Sequence, residues 1–531
     1  MPRRSRFEAS EDKKERNKWN MKPVIELGDG YVSILMDFVP ESIKKRFRYF
    51  KRTMGAWVPG KGRKIQGEMA ELFEDKKVVL DDGSCVSKLT TLPGFASRAI
   101  KAMAAEGYET LVKDVRTRIP EIQWDAAMYG LRDYQMEIVY KALMSGGGII
   151  AASTGSGKTR MASAIIRGYS HNDMCNRGTP LSVMTCTDKD IAEKNWKDLK
   201  YWLPDREVGL IMSGVNQPSQ DVQVITTDSL HRIDPDQIGI MIVDEVHTTA
   251  TENRAAKILA ARRALRWGLS ATPSGRFDGG DLLTEGLVGP VICEFSYKDG
   301  VKSGALVPIT VYWLETPEPE CGVQYFSTLK TRDACYRQAV TRSRIQNGMT
   351  VEILKRIPTE MQSLCIMQLT DQMNRIVGMY PGIRYIHAKT SDAELSKVGQ
   401  NNLLGISPKE RKQIYDDFAS GKIRQILSTH VYKQGVNFPD LQVIVCPGGG
   451  GSDIAAGQIP GRGSRKIDGK DHAYLIDFWH LWDLRFNSKG KTVAGFVLHD
   501  DEKRQAKYNE LGFEQIRVKS LDEIPFLRRA T

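Results

Sequence analysis

Twice along this chain, short runs of wholly apolar residues alternate with stretches of helical character. The first series is Gly148–Ala152, Leu181–Cys186, Val222–Thr226, Ile238–Val243 and Ala264–Ser270. The second is Leu364–Gln368, Ile383–His387, Gln425–Thr429, Val443–Cys446 and Ala473–Phe478. Strands that are apolar on both faces must be covered on both, and helices between them return the chain in the same direction. Each series therefore predicts a parallel sheet with helices on both faces. The fold class expected is α/β, with two such lobes in tandem. A length of 531 residues exceeds one core, and 41% hydrophobic content suits globular domains.

Residues 1–22 mix Arg3, Arg4, Arg6, Lys13, Lys14 and Lys18 with acids, which predicts a disordered or loosely attached tail. That tail lacks the apolar segment of a secretory signal. Residues 23–125 read as a small α+β domain, with strands at Tyr31–Met36 and at Lys77–Leu80 before the Asp81-Asp82-Gly83 turn, and a helix near Pro93–Glu106. The first lobe is expected over 126–314 and the second over 315–490. Between them Glu315-Thr316-Pro317-Glu318-Pro319-Glu320 breaks both periodicities, as either a hinge or a surface loop at a lobe edge would. Residues 491–531, with a helix at Arg504–Leu511, read as an appendage.

The net charge of +11 favours a polyanionic partner, although many proteins of such charge bind none. Eight cysteines occur without any C-x-x-C pair or histidine at metal spacing. They read as structural thiols in a reducing compartment, so a cytoplasmic location is expected. No apolar run reaches the roughly 18 residues of a membrane span, so no membrane partner is expected.

Ala152-Ser153-Thr154-Gly155-Ser156-Gly157-Lys158-Thr159 follows an apolar strand and precedes the helical run Met161–Arg167. That is the setting of a phosphate loop. Gly155 and Gly157 permit the tight backbone path that turns N–H groups toward phosphate oxygens, and the helix adds its positive end. Lys158 would reach the β and γ phosphates of ATP, and the Thr159 hydroxyl would ligate Mg²⁺. The strict pattern begins with Gly where this chain has Ala152. Asp244 and Glu245 end the buried strand Ile240–Val243, so both carboxylates should emerge at the sheet edge where open α/β folds bind ligands. Asp244 would hold Mg²⁺, Glu245 would orient and deprotonate water, and His247 would relay between ATP and the next element. Upstream, Leu131-Arg132-Asp133-Tyr134-Gln135 offers Arg132 and Gln135, the latter for the adenine edge. Ser270-Ala271-Thr272 would couple hydrolysis to movement, or form a capping turn. In the second lobe, Gln458 precedes Gly461, Arg462 and Arg465, and the two arginines stand one helical turn apart to grip a triphosphate. An arginine finger of this kind contributes roughly 10³ to 10⁵ in rate.

In order and spacing over about 130–480, these residues resemble superfamily 2 helicases and translocases. Leu131–Gln135 looks like the Q-type motif, Ser153–Thr159 like motif I, Asp244–His247 like motif II and Ser270–Thr272 like motif III. Leu427-Ser428-Thr429 with Gly435-Val436-Asn437-Phe438-Pro439 looks like motif V, and Gln458–Arg465 like motif VI. Asn437 stands where many relatives have Asp. The Asp-Glu-Val-His form, with Leu92-Pro93-Gly94-Phe95 and Gly107-Tyr108, is similar to phage recombination and repair helicases of the UvsW type, relatives of the XPB branch. The resemblance implies RecA-like lobes and ATP-driven, 3′-to-5′ translocation, with unwinding or branch migration of single-stranded, forked or branched DNA. It also implies nucleotide contacts at Gly435 and Asn437, and nucleic acid along Thr185, Thr227 and Thr429. A phage protein of this kind would work in the host cytoplasm, and a monomer is expected.

The N-terminal domain adds Lys44, Lys45, Arg46, Arg48, Lys51, Arg52, Lys61, Arg63 and Lys64, interleaved with Phe47, Tyr49, Phe50 and Trp57. Cations among aromatics suit DNA phosphates and stacked bases, with Lys45, Arg48, Arg52, Trp57, Lys61 and Arg63 as the contacts. A solvated basic face over an aromatic core has the same composition. Three other functions stay open: an RNA helicase, a duplex translocase that remodels bound proteins without separating strands, and a DNA-binding scaffold whose motor is dead.

Overall fold

The computed structural model describes residues 22–58, 62–117, 119–125, 130–276, 278–387, 407–429, 438, 440–450, 460–486 and 491–528, and the side chains of 54–58, 62–64 and 408 lie outside that description. Contacts divide the chain into two compact units: Met1–Ala152 with Gly157–Glu294, and Ser153–Ser156 with Phe295–Thr531.

The first unit begins with strands β1 (Val24–Gly28), β2 (Tyr31–Met36), β3 (Arg48–Val58), β4 (Gly62–Glu71), β5 (Phe73–Val79), β6 (Cys85–Thr91) and β7 (Leu111–Asp114). Five of them form a sheet in the order β5-β6-β2-β1-β7, and β3 pairs with β4 as a separate antiparallel hairpin. Ile25, Ile34, Phe47, Phe95 and Met103 form the domain's core, with the last contributed by the helix Ala96–Ala105. Lys45–Phe47 form a short helical turn, and from Arg48 onward the basic, aromatic segment is therefore a hairpin. The Pro-Gly-Lys-Gly run at 59–62 was the sequence signal for it.

The same unit carries the first α/β sheet. Its strands are β8 (Gly147–Ala152), β9 (Leu181–Cys186), β10 (Val208–Met212), β11 (Val215–Gln217), β12 (Val222–Thr226), β13 (Ile238–Asp244), β14 (Leu265–Ser270) and β15 (Val291–Phe295). They lie in the order β11-β10-β12-β9-β13-β14-β8-β15. Adjacent strands from β10 through β8 pair in parallel, while the edge pair β10 and β11 is antiparallel. All seven residues of β13 are buried, as a central strand covered on both faces requires.

The second unit holds β16 (Ile309–Glu315), β17 (Gln362–Met367), β18 (Arg384–Ile386), β19 (Gln425–Thr429), β20 (Leu441–Cys446), β21 (Ala473–Trp479), the small hairpin β22 (Leu484–Phe486) with β23 (Thr492–Ala494), and β24 (Glu514–Val518). The sheet runs β18-β19-β17-β20-β21-β16-β24, with every neighbour parallel. Two sequence expectations change here. Strand β16, assigned from sequence to the first lobe, pairs with β21 and β24 of the second sheet, so the passage between lobes precedes it. Residues 491–531 are not an appendage either, since β24 completes the sheet and Leu498, Tyr508 and Phe513 join the core of Leu364 and Leu475.

The helix Phe496–Leu511 inserts a charge into that core. Arg504 donates from Nε and Nη2 to the two oxygens of Asp477 at 2.9 Å each, and from Nη2 to Asp501 at 3.0 Å. Burial opposes the guanidinium's charge, but Asp477 and Asp501 outweigh it and push its pKa up. Asp501 in turn pairs with His480, whose other ring nitrogen meets Gln346 at 2.9 Å. No helix among the described residues is long and apolar enough to cross a membrane.

Replacing Arg504 with Ala leaves two carboxylates, both fully buried, without their cation. The expected loss is about 3–5 kcal/mol of second-unit stability by denaturant unfolding, because breaking a buried pair strands the remaining charge. A loss below about 1 kcal/mol, the range of an exposed pair, would contradict this.

Candidate nucleotide site on the first sheet

Lys158, expected from sequence to grip phosphate, opens the helix Lys158–Arg167, with Gly157 at its N-cap at φ 82°. Gly155 lies at φ 88°, so both glycines adopt a backbone that other residues reach only under strain. A Cβ on Gly157 would also stand 2.4 Å from Gln135 Nε2, so the loop needs glycine there twice over. Gln135 is buried, and its carbonyl accepts from the Arg132 backbone N–H at 3.1 Å. It packs under the loop and braces the start of its own helix. Ser153 and Ser156 close the turn, with the Ser156 N–H donating to the Ser153 carbonyl. Lys158 Nζ donates to the Ala152 carbonyl at the end of β8, 3.1 Å away.

Facing this loop is the end of β13. Asp244 Oδ2 accepts from Asn195 Nδ2 at 2.9 Å, and Asn195 Oδ1 accepts from the Thr159 hydroxyl at 3.5 Å. Asn195 is fully buried on the helix Lys189–Trp202 and joins the two residues that sequence reasoning chose for Mg²⁺. Sequence reading missed it, because an Asn within an amphipathic helix carries no motif. Among the described residues no group of three or more His, Cys, Asp or Glu could hold a metal. A hydroxyl and one carboxylate nonetheless suit Mg²⁺, a hard cation that takes one or two carboxylates together with substrate phosphates. Thr159 and Asp244 would hold it, and the ion would neutralise charge on the β and γ phosphates.

Glu245 is the single described non-glycine residue with positive φ, at 48°. The reversal turns the chain sharply off the strand, and the Glu245 N–H returns to Asp244 Oδ1 at 3.0 Å. Left-handed backbone at such a residue costs on the order of 1–3 kcal/mol and is held by its surroundings. His247, two residues on, is buried and pairs through Nδ1 with Ser270 Oγ at 2.9 Å, with Glu245 Oε2 at 3.5 Å. The same Ser270 oxygen accepts from the Thr272 N–H at 3.0 Å, so the Ser-Ala-Thr turn with Ala271 at its centre is tied to the Asp-Glu strand end. Burial first, then the positive charges of Arg276 and Lys158, push the His247 pKa down to about 4, so the ring is neutral near pH 7. Arg276 donates to the His247 carbonyl and pairs with Asp278. The Asp278 carbonyl accepts from the Arg52 N–H of hairpin β3–β4 at 3.1 Å. Lys51 of that hairpin pairs with Glu252.

In the second unit, Arg462 ends the short turn Pro460–Arg462 and is buried. Arg465 bridges Leu306, and the Val307 N–H donates to the Ser464 carbonyl at 2.7 Å, which pins the arginine segment to the chain before β16. Nearby Lys470 is pushed down to about 8, by burial above all, with Asp440 opposing and Arg465 adding to the shift.

The residue-by-residue descriptions Type III restriction enzyme, res subunit, and Helicase conserved C-terminal domain match residues 128–275 and 353–466. One covers the sheet bearing Lys158 and Asp244, the other the sheet leading to Arg462. The two matched domains support a superfamily 2 helicase. Such helicase domains hydrolyse nucleoside triphosphates. Among relatives, the viral protein called helicase 22, from Sulfolobus islandicus filamentous virus (isolate Iceland/Hveragerdi), is 25% identical over 69% of this chain and 67% of its own length. The DNA 3'-5' translocase XPB2 of Sulfurisphaera tokodaii is 26% identical over 65% of this chain and 81% of its own. The crystal structure of T4 UvsW aligns at 15% identity and a TM-score of 0.37, across 94% of this chain and 99% of that one.

Several residues expected to touch DNA are placed otherwise. Thr185 and Thr227 are fully buried and pair through their hydroxyls at 3.1 Å, because both sit on strand ends beneath the sheet edge rather than upon it. Thr429, ending β19, is buried as well. Arg48 is engaged by Glu41 and Glu71, and Lys44 by Asp75, which neutralises part of the basic stretch. Lys45 and Arg52 stand exposed. Gln458, Gly435, Asn437 and Lys61, and the side chains of Trp57 and Arg63, lie outside the described residues.

Because folding depresses the His247 pKa from 6.5 to about 4, the unfolded chain takes up a proton between those values that the folded one refuses. The stability this group confers is complete above pH 6.5 and is lost as pH falls toward 4. His247→Asn should flatten the fall in unfolding free energy over that window, and an unaltered pH slope would refute a buried neutral ring.

Proposed function

We propose that the chain is an ATP-dependent DNA helicase or translocase that unwinds or branch-migrates forked and branched DNA in recombination, repair or replication. One observation carries the reading. Lys158, Thr159, Asn195, Asp244, Glu245 and His247 converge at one edge of the first sheet, and His247 is linked through Arg276 and Asp278 to the basic hairpin β3–β4. The hairpin is the DNA-facing element, with Arg52 on it and Lys45 in the turn just before it as exposed cations. DNA rather than RNA is favoured by the relative named as a DNA 3'-5' translocase, whose polarity is proposed here too.

In this reading Lys158 grips the β and γ phosphates and Glu245, on its reversed backbone, orients and deprotonates the attacking water. Neutral His247 accepts or donates through Ser270, so a change at the strand end reaches the Ser270–Thr272 turn. Arg462 and Arg465 stabilise charge on the transferring phosphoryl group. Bound ATP would thereby be sensed at the hairpin through Arg276. Duplex translocation without strand separation uses the same parts and differs only in the product.

Lys158→Ala and Arg465→Ala should each abolish DNA-stimulated ATP hydrolysis, and near-normal turnover in either would remove that residue's assigned role. Stimulation should be strongest with forked DNA and weak with RNA, and a strand-displacement and branch-migration panel distinguishes unwinding from simple translocation. Replacing both Lys45 and Arg52 with Glu should weaken DNA binding about tenfold or more and lower the salt slope by roughly one to two. Unchanged affinity and slope would place the DNA elsewhere.

A further inference from the structure

A cavity of about 310 Å³ lies within the first unit where the N-terminal domain meets the first α/β sheet. It sits by the starting ends of β8, β14 and β15, at Gly147, Arg266 and Ile292, a strand's length or roughly 20 Å from the edge bearing Asp244. Four arginines line it, Arg116 from the N-terminal domain and Arg262, Arg263 and Arg266 from the lobe, against one carboxylate, Asp29. That carboxylate already accepts from the backbone and side chain of Thr117, the former at 2.9 Å. Arg116 is matched by Asp114. The other three arginines form no ion pair among the described residues; Arg263 and Arg266 donate instead to the carbonyls of Arg177 and Ala261.

Arg266 is the telling residue. It is only 6% exposed, and its Nε has no hydrogen-bond partner. Burial alone pushes its pKa down to about 10, with no acid acting on it. A buried cation without an anion is costly, and guanidinium forks suit phosphate oxygens best. The volume falls at the lower end of ordinary ligand sites and exceeds what a few waters need. Leu27, Leu287 and Ile292 supply apolar wall beside the charges.

We propose that this cavity binds a phosphate-bearing anion, held by Arg262, Arg263 and Arg266, which fastens the N-terminal domain to the first lobe. The anion is either a free oligophosphate or a backbone phosphate of nucleic acid, and the site stands apart from the phosphate loop. It does not depend on the motor reading above.

The test uses the full chain carrying Lys158→Ala, so that the phosphate loop contributes little. Pyrophosphate is titrated calorimetrically, and a short DNA duplex is titrated by anisotropy. Arg262→Glu, at an exposed position, and Arg266→Met are compared with that parent. Each should weaken pyrophosphate binding about tenfold or more, the scale of one charge-assisted bond. Loss confined to the duplex would instead identify backbone phosphate as the occupant and equally support the site. Should Arg266→Met fail to fold, Arg262→Glu decides alone. Parent-like binding of both probes by the variants that fold overturns the proposal.

Discussion

Parallel pairing is the constraint on which the rest of this protein depends. Strands that all run one way end at one edge, and the chain must leave that edge by a loop before each helix returns it. In the first unit this brings Ala152, Asp244 and Ser270 to the ends of β8, β13 and β14, strands that are neighbours or next-neighbours in the sheet. Residues separated by more than a hundred positions thereby converge without any contact between their own strands' side chains being needed. The opposite edge collects the strand starts, where the arginine-lined cavity lies.

Polar groups at the working edge are linked in sequence rather than standing singly. Thr159 reaches Asp244 through Asn195, and Glu245 reaches the Ser270 turn through His247. Asn195, Asp244, His247 and Ser270 are buried, so the bonds among them are strengthened by weak screening and would be costly to leave unmade. Neutral His247 suits this placement, since a proton there would add a buried cation beside Arg276 and Lys158. In the second unit the same logic holds the C-terminal helix, where Arg504 is fixed between Asp477 and Asp501.

Much of the fold was legible because its signals are local. The apolar runs that predict strands recur in the structure within a residue or two of their expected ends, and the Gly-rich loop is bounded by β8 and the helix at Lys158. What escaped was non-local. Strand β16 looks the same from sequence whichever sheet it joins, and its partners β21 and β24 lie far along the chain. Residues 491–531 read as peripheral from sequence, yet Arg504 and Asp501 are buried and paired with each other, and buried Asp500 is held by Arg332. Thr185 and Thr227 are hydroxyl residues at strand ends, and only their burial against each other tells that they do not face outward.

By itself, then, the sequence determined the α/β class, the two series of strands and where the Gly-rich loop and the Asp-Glu pair leave their strands. Each depends on neighbouring residues and on backbone chemistry such as the positive φ that only glycine takes easily. Tertiary structure alone decided which sheet owns β16 and β24, that Asn195 joins Thr159 to Asp244, which cations of the hairpin are neutralised, and that Arg266 is buried without an acid. Those outcomes depend on which distant groups are brought within a few ångströms and shielded from water, and a linear pattern carries neither distance nor solvent.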